Sequence, residues 1–293
     1  MELKKIFNIT IQFFYYIKLL EVIRIFNLPN IITKHLYFNG IINIRVDSKH
    51  SFKIIHYGYQ TENELYWQGL TGKYEKETLK LWIQLSKKSN LIFDIGANTG
   101  VFALTAKAVN IHSKVFAFEP IERVYKKLQY NNIINKYDIT CVNQAVSSST
   151  GTLSIYDSPD EQSYTVSLDK NRFEERKKSP IEIQTITLKK FVEENKLNKI
   201  DLFKIDVEYH EYEVLTGLGK EYINFYKPNF IIEIVENQTA EKLRRFFDIN
   251  QYLFFDINED NGIKQMKSLT KSSCYNVLIC NKEFAKANQI LHV

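Results

Sequence analysis

Leu91-Ile92-Phe93-Asp94-Ile95-Gly96-Ala97-Asn98-Thr99-Gly100 is the stretch whose reading decides the fold. A five-residue apolar run holding one acid gives way to a loop with two glycines, and residues 101–109 then carry an apolar helical pattern. A short buried strand, a tight turn and a helix are predicted. Outward from this unit, residues 75–86 read as a helix, 115–119 as a strand, 121–134 as a helix and 139–146 as a strand. That alternation predicts a parallel sheet with helices on both faces.

Residues 151–156 and 181–186 read as short added strands around a polar, charge-rich excursion, followed by a helix over 188–195. The rhythm resumes with a strand at 200–206, a helix at 210–218, a strand at 230–234 and a helix at 240–247. Residues 252–257 and 275–281 finish the sheet as a β-ribbon, and residues 35–59 alternate as a few antiparallel strands do. The expected division is an N-terminal helix and β region over 1–72 and an α/β body over 73–293.

Composition sets bounds on function. Apolar and charged fractions of 44% and 25% in 293 residues describe an ordinary globular chain. The net charge of +5 is spread, and the densest basic run, 172–178, contains Glu174 and Glu175, so it reads as a solvated loop and no nucleic-acid partner is expected. Cys141, Cys274 and Cys280 are odd in number and form no Cys-x-x-Cys pair, which suits a reducing, cytoplasmic compartment.

The opening Met1-Glu2-Leu3-Lys4-Lys5 leads into an apolar stretch to residue 26, interrupted by Asn8, Thr10 and Gln12 and followed closely by Lys18, Glu21 and Arg24. It lacks a cleavage pattern and is too polar to span a bilayer. A helix docked on the body or on a partner is preferred over membrane association through residues 1–26.

A ligand is expected where the first strand ends, because open parallel sheets bind at the carboxyl ends of their strands. Gly96 and Gly100 leave room there, and Asp94 suits the amino group of an amino-acid moiety. The next strand ends Phe118-Glu119-Pro120, placing a carboxylate about twenty residues on, where both hydroxyls of a ribose can donate to it. A dinucleotide site wants Gly-x-Gly-x-x-Gly, but Asp94 stands at the first glycine and would repel a pyrophosphate. The loop therefore prefers a ligand with a cationic end.

These segments, with Phe203-Lys204-Ile205-Asp206-Val207-Glu208-Tyr209-His210-Glu211, resemble the FkbM-type family of S-adenosylmethionine-dependent methyltransferases over residues 74–281. Lesser matches are Ala145 with Gly151, Thr187-Leu188, Val214-Leu215-Thr216-Gly217 and residues 228–233. The resemblance implies a Rossmann-like class I methyltransferase sheet and methylation of an oxygen on a small-molecule or glycan acceptor. It implies that Gly96, Ala97, Asn98 and Gly100 line the methionine part of S-adenosylmethionine, Glu119 the ribose, and Gln144 with Ala145 the adenine edge, while Asp206 faces the methyl centre. Two positions depart from the family pattern: Tyr209 stands where glycine is usual, and Lys189 where an acid often follows the Thr-Leu pair.

On the acceptor side, His210 is the candidate base, since imidazole titrates near neutrality, with Asp206 and Glu208 beside it. Glu208 and Glu211 equally suit the first turn of a helix. Magnesium is a weaker expectation resting on Asp206 with Glu233 or Glu236, and no metal ligands are assigned. The competing readings are a non-catalytic S-adenosylmethionine-binding or interaction module, kept open by Tyr209, and a nicotinamide-dependent oxidoreductase. Neither the acceptor, whose pocket would draw on the N-terminal region and residues 151–180, nor the oligomeric state is readable from the sequence.

Overall fold

The computed structural model describes residues 20, 22–24, 29–157 and 179–288. Leu20 and residues 22–24 are helical, but the rest of the helix expected up to residue 26 lies outside the described residues, as does most of the excursion before residue 179. Among the described residues no helix is long and apolar enough to cross a membrane.

In chain order the strands are β1 (Asn39–Arg45), β2 (Ser51–Tyr57), β3 (Leu91–Ile95), β4 (Lys114–Phe118), β5 (Thr140–Val142), β6 (Ala145–Val146) and β7 (Gly151–Asp157). They continue as β8 (Ser179–Ile186), β9 (Leu202–Ile205), β10 (Asn229–Glu233), β11 (Tyr252–Asn258), β12 (Gly262–Met266) and β13 (Asn276–Asn281). The main sheet runs β12-β11-β13-β10-β9-β3-β4-β5. From β5 to β10 the pairings are parallel, and β13, β11 and β12 join antiparallel. The expected Rossmann-like sheet is present, with β3 at the point where the connections reverse direction.

Both faces are covered, so β3 and β9 are buried along their whole length and read as continuous apolar runs. Register aligns one phenylalanine per strand: Phe116 faces Phe93, Phe93 faces Phe203, and Phe203 faces Phe230. Their rings stack at 5.1, 5.0 and 5.0 Å, and Phe191 of the helix Leu188–Glu194 meets Phe93 and Phe116 edge-on. Such aromatic packing adds to simple area burial. Because side chains alternate across a strand, Asp94 and its register partner Lys204 fall on the opposite face. That face packs on the helices Lys76–Ser86 and Val101–Val109.

The β1–β2 hairpin buries Ile42, Ile44, Phe52 and Ile54 in the same continuous cluster as Trp82, Ala103 and Leu128 of the body. Three readings need correction. The single strand expected over 139–146 is two strands: β5 edges the main sheet, and β6 pairs with β8 in a separate sheet β6-β8-β7. The Asn143 side chain causes the break, donating to the carbonyls of Glu119 and Pro120 at 2.9 and 3.0 Å and steering the chain out of the sheet. The helix expected to residue 247 ends as Asn237–Leu243 with a 3-10 turn after it. The expected β-ribbon gains a third strand, β12, a largely polar edge strand with no apolar alternation to betray it.

Candidate functional site

The carboxyl ends of β3, β4, β9 and β10 open into a cavity of about 530 Å³. Asp94, Gly96, Ala97, Asn98, Glu119, Gln144, Ala145, Asp206, Glu208 and His210 all line it. Gly100 stands outside the lining, at the start of the helix Val101–Val109. The N-terminal region adds Tyr59, Gln60 and Thr61, which no sequence motif signalled.

The loop after β3 is braced by Glu119, which is 7% exposed. One carboxylate oxygen accepts the Asn98 amide at 3.0 Å and the other the Ile121 amide at 2.9 Å. Burial nonetheless pushes the Glu119 carboxyl up to about 7. The two glycines serve protein packing more than ligand room. A Cβ on Gly96, whose φ is +81°, would lie 1.8 Å from the Asp206 carbonyl oxygen. One on Gly100, at φ +96°, would lie 2.6 Å from Cδ1 of Leu128.

Asp94 is 1% exposed and accepts the Ala103 amide at 2.9 Å, so it anchors the helix that follows. Burial lifts its carboxyl to about 7, against the pull of the Lys204 ammonium. Lys204 is itself 1% exposed, with Nζ 2.8 Å from Asp206 and 3.9 Å from Glu75. Burial works against this charge, but Asp206 and Glu75 outweigh it and hold the ammonium above its ordinary range. Glu233 lines the cavity beside this group, and burial with the adjacent Asp206 pushes it up to about 9. Burial likewise raises Glu75, which accepts from Asn276 at 2.9 Å, and it raises the Tyr74 phenol. The signal for Lys204 was present in the sequence: a lysine inside an otherwise apolar strand must find buried anions.

The loop from β9 to the helix Glu211–Leu218 takes two consecutive left-handed residues, Glu208 at φ +53° and Tyr209 at φ +75°. Glu211, 1% exposed, closes it by accepting the amides of Val207 and Tyr209 at 3.4 and 3.2 Å, and burial lifts its carboxyl to about 7. This geometry explains why glycine suits position 209 and why a tyrosine there carries backbone strain. His210 occupies the N-cap position of the helix without a side-chain capping bond, its Nε2 lying 2.9 Å from the Ser147 hydroxyl and its Nδ1 3.6 Å from Glu213. Burial lowers its pKa, with Glu213 opposing, so the ring favours the neutral form.

Of the acids considered for magnesium, Asp206 and Glu233 share the cavity, whereas Glu236 lies outside its lining. Among the described residues no group of three or more His, Cys, Asp or Glu is arranged to hold a metal ion. The cation placed against Asp206 is the chain's own Lys204.

Residues 94–263 match the family model described as "Methyltransferase FkbM domain". Two curated relatives share similarity. One is the hexuronic acid methyltransferase AglP of Haloferax volcanii, 27% identical over 144 residues, covering 49% of this chain and 56% of that protein. The other is the methyltransferase sdnD of Sordaria araneosa, 31% identical over 172 residues, covering 50% of this chain and 66% of that protein. The chain therefore matches only about half to two thirds of their length. A solved S-adenosylmethionine-dependent methyltransferase from Agrobacterium tumefaciens aligns at 8% identity with a TM-score of 0.42, over 84% of this chain and 72% of that one, a likeness too loose to carry an argument.

Proposed function

The chain belongs to the FkbM-domain methyltransferase family, and from this premise we propose that it transfers the methyl group of S-adenosylmethionine to a hydroxyl of a saccharide or related hydroxylated metabolite. The observation that carries the reading is the pair of buried carboxylates, Asp94 and Glu119, at the tips of adjacent strands in one cavity beside the Gly96 turn. A donor with a sulfonium and an ammonium suits such a pair, and a pyrophosphate does not. The name of the relative from Haloferax volcanii, a hexuronic acid methyltransferase, favours a saccharide acceptor.

The donor supplies an electrophilic methyl group on positively charged sulfur. The chain's own residues then have distinct tasks. Each Glu119 oxygen already accepts one backbone amide and keeps a second lone pair for a ribose hydroxyl. Gln144 and Ala145, where the chain leaves the main sheet, would border the adenine. Asp206, with Glu208 and His210 one loop further on, would align the acceptor. As the new C–O bond forms and the C–S bond breaks, the hydroxyl proton would pass to His210, which burial keeps unprotonated at neutral pH. Nε2 must first exchange its Ser147 partner for the acceptor.

Calorimetry with S-adenosylhomocysteine and with NAD, followed by transfer of labelled methyl to a panel of saccharides, tests the reading. Binding of S-adenosylhomocysteine together with label in an ether-linked sugar product is expected. Binding without transfer to any acceptor would favour the non-catalytic module, and preference for NAD would overturn the reading.

A further inference from the structure

His210 is held on both sides of its ring. Nε2 lies 2.9 Å from the Ser147 hydroxyl, and Nδ1 lies 3.6 Å from the carboxylate of Glu213, three residues on in the helix Glu211–Leu218. Ser147 is 6% exposed and is fixed through its main chain. Its amide donates to the Ile186 carbonyl at 3.0 Å, and Gly217 packs on its carbonyl, where a Cβ would stand 2.1 Å from the oxygen. The end of β6 is thereby locked to the helix that His210 begins, which sets the distance between hydroxyl and imidazole. Of the other acids nearby, Asp206 and Glu208 line the cavity with His210, and Glu211 turns its carboxylate to the Val207 and Tyr209 amides.

The two contacts together choose the tautomer of the ring. A hydroxyl both donates and accepts, so Ser147 fits a proton on either nitrogen. A carboxylate only accepts, so Glu213 attracts an Nδ1–H and repels an Nδ1 lone pair. At 3.6 Å it acts through charge, without a formed hydrogen bond. We infer that Ser147 and Glu213 are positioning residues for methyl transfer: Glu213 keeps the ring proton on Nδ1, and Ser147 donates to the Nε2 lone pair until an acceptor hydroxyl takes its place. The inference rests on the methyltransferase reading above and deepens its assignment of the base. As the acceptor oxygen bonds the methyl carbon, the C–S electron pair returns to sulfur and the hydroxyl proton moves to Nε2. The imidazolium so formed lies against Glu213 and later releases its proton to water.

The test is nuclear magnetic resonance of the full chain carrying nitrogen-15 histidine, with the His210 signals identified by their loss in His210→Ala. The neutral ring should be protonated at Nδ1. Glu213→Gln removes a charge that favours the imidazolium, so His210 should titrate lower in pH by at least about 0.5. Ser147→Ala removes a donor to the neutral ring, so the titration should move to higher pH. With labelled donor, the acidic limb of the pH–rate profile should move in the same two directions. Glu213→Gln should also lower kcat about threefold or more while S-adenosylhomocysteine binding is unchanged. An Nε2-protonated neutral ring overturns the inference, as do titrations that stay in place or move the opposite way. A Glu213→Gln enzyme with unaltered kcat and pH profile overturns it too. Failure of the unsubstituted chain to bind S-adenosylhomocysteine overturns the parent reading instead, and the tautomer and titrations are still read.

Discussion

Gly96 packs directly on the main chain of Asp206, at the crevice between β3 and β9. A Cβ at position 96 would stand 1.8 Å from the Asp206 carbonyl oxygen, and the +81° φ of Gly96 also disfavours any side chain. The tips of the two strands bearing Asp94 and Asp206 are thereby held at backbone contact. Gly96→Ala should lower stability by about 3 kcal/mol, in line with overpacking at a left-handed position. Denaturant unfolding measures it, and a loss under about 0.5 kcal/mol, typical of a neutral surface change, would contradict the contact.

Donor affinity should rise with pH through neutrality. Asp94 and Glu119 are both raised to about 7 by burial, so below that pH each is largely a neutral acid. A cationic donor favours their carboxylate forms, so binding releases protons and tightens as pH increases, levelling off above the raised pKa values. Calorimetry at pH 6 and pH 8, in buffers of different ionisation heat, should show stronger binding at the higher value with net proton release. Proton uptake, or affinity independent of pH, would argue against a carboxylate-bound donor.

Asp206 and His210 should separate by readout. Asp206→Ala leaves Lys204 without its 2.8 Å partner within the donor crevice, so both donor affinity and turnover should fall. His210→Ala should spare donor binding and lower turnover by about a hundredfold or more, with loss of the acidic limb of the pH–rate profile. A fully active His210→Ala enzyme would remove the base assignment.

Lys204→Met would leave Asp206 and Glu75 without their shared cation. A loss of about 3–5 kcal/mol is expected at neutral pH, the range for breaking a buried ion pair by removing one member. The deficit should shrink on acidification, because protonating the stranded carboxyls removes the uncompensated charge. Stability measured at pH 5 and pH 8 checks both the size and the sign.

Tyr209→Gly should be neutral or stabilising. The tyrosine backbone sits at φ +75°, where a Cβ costs roughly 1–2 kcal/mol, partly offset by the greater freedom of an unfolded glycine. A gain of up to about 1 kcal/mol in thermal or denaturant unfolding is expected. Clear destabilisation would show that contacts of the ring outweigh the strain.

Much of this architecture could be read from local pattern alone. Unbroken apolar runs such as Leu91–Ile95 mark strands buried on both faces, and their alternation with helical periods dictates a parallel sheet with its ligand site at the carboxyl ends. Strand ends were equally legible, so Asp94, Glu119 and Asp206 could be assigned to one cavity in advance, and the family match agrees with the resemblance carried by those segments. What the tertiary structure decided is everything that depends on partners distant in the chain. Asn143 turns the chain out of the sheet only because the Glu119 and Pro120 carbonyls lie within reach. Tyr59–Thr61 reach the cavity only because the hairpin before them docks on the body. Lys204 meets Glu75 across more than a hundred residues. The physical reason is one of range: periodicity and turn chemistry act over a few neighbouring residues, whereas burial, charge pairing and close backbone contact exist only once remote segments have packed.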